Sequence, residues 1–123
     1  EFYVDWYYSR KLGCEPTSGS TSNLVVPPGT RSVKEIMKDL GRGILVTGFI
    51  GGNANPTTGD TSIGIIGTLF ENGEPVQPVC EMNIADNYLK LLPRCIEVAN
   101  DPFPYSANRF PSLVFDKVVV SGL

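Results

Sequence analysis

The sequence has 123 residues, enough for one domain with its own core, and a net charge of −3 with no basic stripe, which gives nucleic-acid binding no electrostatic support. Hydrophobic residues make up 41% and charged residues 19%, with 13 Gly and 10 Pro, a balance that fits a loop-rich β protein or a piece that hides surface against something else. No apolar run approaches the ~20 residues that span a bilayer, no secretory leader is visible, and the absence of histidine removes the Ser-His-Asp triad and the HExxH zinc site.

In chain order, FYVDWYYS reads as a half-buried strand, with Phe2, Val4, Trp6 and Tyr8 on one face and Tyr3, Asp5, Tyr7 and Ser9 on the other. The chain begins at Glu1 without a lead-in, as if inside something longer. Arg10–Asn23 is a small-residue loop, and its Ser/Thr run Thr17–Ser22 reads as solvated rather than as an anion cradle. Leu24–Val26 is a short strand stopped by Pro27 and Pro28. SVKEIMKDLG predicts a helix: Ser32 and Glu35 form a capping box, Val33, Ile36, Met37 and Leu40 make one apolar stripe, and Gly41 suits the exit. GILVTGFI is apolar on both faces and reads as a central strand, followed by a long GGNANPTTGDT loop and a strand over Ser62–Phe70.

Asn72-Gly73 predicts a type I′ hairpin turn, because both central positions need positive φ. On the return strand Val76, Cys80, Met82 and Ile84 share a face, which makes Cys80 a small core residue. Three cysteines with no CxxC spacing argue against a disulfide framework or zinc ribbon and fit a reducing cytoplasm. DNYLKLLPRCIEV predicts a short helix capped by Asp86 and ended or kinked by Pro93. ANDPFPYSANRFPS is irregular, and Leu113–Gly122 reads as a final strand. The order β–β–α–β–β–β–α–β predicts an α+β fold, a mainly antiparallel sheet with two short helices packed on it.

The strand over Ser62–Phe70 carries two glycines, which mark a bulge or a close approach of another backbone. Period two puts Gly67 on the apolar face with Ile63, Ile65 and Leu69, where a helix or strand packs closely. It puts Gly64 beside Ser62 on the mixed face, the one of the two open to a ligand backbone. DTSIG is similar to the Asp-Thr-Gly of aspartic proteases, but its third residue is Ser62 and such sites need two apposed aspartates, so Asp60 reads as a turn former. No GxGxxG or P-loop occurs, and Glu71, Glu74, Glu81 and Asp86 flank turns. The residues alone present no catalytic constellation.

The order of segments resembles one family. YYSRKLG, GSTSNLV, GRGILVTGFIGG, TTGDTSIGIIGTLFENGEPVQPV, MNIADN and EVANDP run in the order and spacing of the C-terminal domain of the TldD/PmbA family, over nearly all of residues 1–123. The resemblance implies part of a two-subunit zinc metallopeptidase that trims peptides and unfolded proteins, in a family long labelled modulators of DNA gyrase. Its HExxxH zinc motif lies upstream of this region. The active subunit type adds a zinc-ligating cysteine in the loop before the last strand, and Asn100–Ser112 has none. The GDxSxG pattern resembles the PmbA side, whose members lack the zinc motif, while Pro93 departs from the family's plain helix there.

The resemblance thus implies a cytoplasmic, non-catalytic PmbA-like subunit with no cofactor or catalytic residue in this chain. Zinc is implied only in a TldD-type partner or an upstream region. The implied partners are a TldD-type subunit or a second copy in a dimer, and a peptide or unfolded-protein substrate, with no nucleic acid or membrane. On the same resemblance Gly59, Asp60, Ser62 and Gly64 line the path of a substrate peptide or a subunit contact. The alternative for these four is a tight turn into a buried strand. Two other readings of the whole stay open: a stand-alone binding or assembly module, and a modulator of DNA gyrase.

Overall fold

The computed structural model describes residues 4–17 and 23–122. Helix α1 (Trp6–Leu12) replaces the expected first strand. Asp5 is its N-cap, with the carboxylate accepting from the Tyr7 and Tyr8 amides, both at 2.9 Å, and Gly13 closes it in the left-handed conformation. These local bonds satisfy the helix ends, and the two-residue alternation of aromatics does not outweigh them. The expected strand's Phe2 and Tyr3, and positions 18–22 of the Ser/Thr run, lie outside the described residues.

Strand β1 (Leu24–Val25) is followed by α2 (Val33–Leu40), where the capping box predicted from Ser32 and Glu35 is present in full. Ile36 is buried, and α2 packs on the first two strands of the main sheet. That sheet is β2 (Arg42–Ala54), β3 (Asp60–Glu71) and β4 (Glu74–Asn87), antiparallel in sequence order. Its core is Ile65, Val79 and Met82, ringed by Ile44, Val46, Leu69, Ile84 and Val120. The β3–β4 turn has φ of 52° at Asn72 and 83° at Gly73, as the sequence required.

After β4 come α3 (Tyr88–Leu91) and a 3-10 turn (Leu92–Arg94) carrying Pro93. Strand β5 (Cys95–Val98) follows, then β6 (Asn108–Arg109), which pairs in parallel with β1. Strand β7 (Leu113–Phe115) pairs with β5, and β8 (Val120–Ser121) with β4 at Asn83 and Ile84. Arg31 ties the start of α2 to β5, donating to both Glu97 oxygens and to Asp39. The guanidinium beside it holds the Glu97 carboxyl below the usual carboxylate range. The fold is α+β, with a mainly antiparallel sheet.

Several expectations change. Among the described residues β2 pairs on one side only, so it is an edge strand and not a central one. It also runs to Ala54, which shortens the loop expected after Ile50. Cys80 is exposed, not a core residue. Between the pairs Ile65–Met82 and Gly67–Val79, Cys80 and Glu81 both face Ile66, and Glu81 adopts φ 62°. This bulge breaks the parity and turns both Val79 and Met82 inward. The short helix expected in this stretch closes in the 3-10 turn that carries Pro93, but its N-cap is Asn87 and not Asp86. The Asp86 carboxylate accepts from Arg94 instead, at 2.9 Å. The final strand is two strands, separated at Lys117 with φ 54°, because β7 serves β5 and β8 serves β4.

Candidate functional site

Loop 55–59 joins β2 to β3 and is built by local bonds. The Asn55 side-chain oxygen accepts from the Thr57 amide at 2.9 Å and the Thr58 amide at 3.3 Å, and the Gly59 amide donates to the Asn55 carbonyl at 2.8 Å. Gly59 has φ 80°, which brings the chain into β3 with Asp60 paired opposite Asn87.

Asp60 is held from two sides. The Thr58 hydroxyl donates to Oδ2 at 2.7 Å and the Asn87 carboxamide to Oδ1 at 2.9 Å. These bonds, Asn87 first, keep its carboxyl below the usual carboxylate range, with Lys90 adding a weaker attraction. Both Asp60 oxygens thus accept bonds from within the fold. Ser62 is exposed, and its hydroxyl accepts from the Asn83 side chain at 2.9 Å.

Asp60, Ser62 and Gly64 pair with Asn87, Ala85 and Asn83 across β4. Cross-strand partners share a face, so the six line one polar strip of small side chains. Gly59 stands at its end. The structure therefore brings the four candidate residues together along about one strand length. An open cleft of about 530 Å³ lies beside them, between the loop (Asn55, Pro56, Thr57) and α3 (Tyr88, Leu89).

What comes close at the two glycines is β2. A Cβ at Gly64 would fall 2.8 Å from the Ile50 carbonyl oxygen, and one at Gly67 would fall 2.2 Å from that of Leu45. Strand β2 bulges toward both, with register shifts between Val46 and Gly48 and between Ile50 and Asn53. The sequence reading missed Asn83 and Asn87. The alternation Asn83, Ala85, Asn87 in NIADN was the available signal, since period two sets those three on one face.

The residues present do not fit a zinc ion. The chain has no histidine, Cys14 and Cys80 are exposed singly, and no group of three metal-ligating side chains converges among the described residues. No helix of the described residues is long and apolar enough to cross a membrane.

Residues 1–122 match the family described as the PmbA/TldA metallopeptidase C-terminal domain. The metalloprotease PmbA homolog of Haemophilus influenzae is 35% identical over 98% of this chain, which spans 28% of that relative's length. A crystal structure of a proposed DNA gyrase modulator from Bacteroides thetaiotaomicron superposes with a TM-score of 0.81 at 44% identity, covering 99% of this chain and 28% of that one. TldE from Thermococcus kodakarensis superposes with a TM-score of 0.74 at 26% identity, covering 94% of this chain and 30% of that one. With a family match over almost its full length and the same fold in both structures, the chain belongs to the PmbA/TldD family, as its C-terminal domain.

Proposed function

We propose that this domain serves a cytoplasmic PmbA-like subunit of a zinc metallopeptidase complex acting in proteolysis and peptide maturation. In this reading the domain is a non-catalytic scaffold, zinc is supplied by a TldD-type partner, and the face bearing Asp60 and Ser62 lies along the path of the substrate peptide, with Gly64 taken up by β2. The observation that carries the reading is the family match over residues 1–122 in a sequence without a histidine. A strip of small side chains, with Asp60 as its one charge, supports it further. Such a surface lets an extended backbone approach and tolerates many sequences. Exposed Trp6, Tyr7, Leu12, Phe49 and Leu89 add apolar surface of the kind that subunits bury on assembly.

The test uses the full-length subunit mixed with its histidine-bearing partner and an unstructured peptide. Gly64 is a poor probe, since a side chain there meets the Ile50 backbone. Ser62 is exposed and projects from the same face. Ser62→Tyr should lower kcat/KM by about tenfold or more with an unchanged melting temperature. Unchanged cleavage by a normally folded variant would sink the substrate-path reading. A subunit that never joins the partner would favour a stand-alone module. Direct capture of purified gyrase by the subunit would favour the modulator role.

A further inference from the structure

We infer that Asn87 is a positioning residue for the peptide-binding face, acting through Gly59 and Asp60; this rests on the function proposed above. Its carboxamide joins three segments. Nδ2 donates to the Thr58 carbonyl at 2.8 Å and to Asp60 Oδ1 at 2.9 Å, and Oδ1 accepts from the Leu89 amide at 3.0 Å. One residue on, the Tyr88 amide donates to the Gly59 carbonyl at 2.9 Å. Loop 55–59, the start of β3 and the first turn of α3 are thereby fixed to one another.

The chemistry singles out a carboxamide. Two N–H donors and one acceptor are used at once. A carboxylate offers only acceptors and a hydroxyl only one donor. Capping α3 needs the Oδ1 bond alone, so both N–H bonds are surplus to helix formation. They serve the other side, holding the Thr58–Asp60 backbone as it enters the strip. A Cβ at Gly59 would lie in ordinary contact with the Asn87 side chain at 3.4 Å, so it is the φ of 80° that calls for glycine there. The cleft beside the strip has this loop and α3 as its two walls, the same segments the carboxamide ties together.

The experiment uses the full-length subunit with its zinc-bearing partner and a fluorogenic unstructured peptide as the probe. Asn87→Ser keeps a capping oxygen and loses both N–H bonds. Its KM should rise about five- to tenfold with kcat within about twofold. Asn87→Asp sets a second carboxylate against Asp60 and should raise KM likewise. Adding Asp60→Asn restores the carboxamide–carboxylate bond across this pair but not the bond to the Thr58 carbonyl, and should recover part of that loss.

A merely structural residue would lower the melting temperature and kcat together, with no recovery on the swap. Unchanged KM in Asn87→Ser beside an impaired Ser62→Tyr overturns the role of Asn87 and leaves the proposed function standing. If neither variant moves KM, the substrate-path reading falls and takes this inference with it. If Asn87→Ser does not fold, the swapped pair decides. A KM in the swap clearly below that of Asn87→Asp supports the inference, and KM as high as in Asn87→Asp overturns it.

Discussion

Gly67 shows how much one missing side chain fixes. Its amide sits opposite Val46 where β2 bulges, and a Cβ would lie 2.2 Å from the Leu45 carbonyl oxygen and 3.0 Å from the Val46 Cα. These are backbone atoms, so no rotamer change relieves the overlap. Gly67→Ala should therefore cost about 2–3 kcal/mol in urea unfolding. Gly73→Ala is a different case. It meets φ 83° and the Lys38 Cβ at 3.1 Å, and should cost nearer 1 kcal/mol. Equal costs would refute the close-approach account. The turn at Asn72-Gly73 was legible because its chemistry is local. The face of Gly67 was legible from period two, but which neighbour approaches it was not. Cys80 was misread for the same reason: the bulge that turns it outward depends on Ile66 across the ladder.

Among the elements, α2 and α1 had comparable signals and only one was read. The capping box of α2 is complete, with Ser32 and Glu35 exchanging bonds at 2.8 Å and 3.3 Å. In α1 the bracket was Asp5 before and Gly13 after, with Arg10 and Lys11 in the last turn where the helix dipole favours them. The helix is 7 residues long, two turns, too short to display a 3.6-residue period against an accidental alternation. Its stability then depends on the cap more than on packing, since Ser9 is its one buried residue. Asp5→Ala should cost roughly 1 kcal/mol and speed amide exchange at Tyr7 and Tyr8, while Asp5→Asn should be close to neutral. Equal exchange in both variants would show that something other than the cap holds α1. The split of the last strand at Lys117 had no comparable local signal, because its halves are recruited by different sheets.

For the whole molecule, the double-faced apolar pattern of GILVTGFI carried real information but not the place of the strand. Such a pattern reads as central because both faces expect cover. In the structure β2 is 13 residues long, pairs only with β3 among the described residues, and leaves Phe49 66% and Ile50 50% exposed. Edge strands are usually blunted by brevity, proline or lysine. Arg42 is the one charged residue of β2, and it is engaged with Glu71. The bulges near Thr47 and at Gly51-Gly52 bend the edge, and among the described residues no strand pairs with its outer amides and carbonyls. An isolated chain should therefore self-associate as concentration rises, through added strand pairing at this edge. Phe49→Lys places a charge in the middle of the template and should shift sedimentation toward monomer. Its unfolding midpoint should stay put, because most of the Phe49 side chain already contacts solvent. A lower midpoint with unchanged association would mean that Phe49 is held by the fold and that the edge is not the adhesive surface.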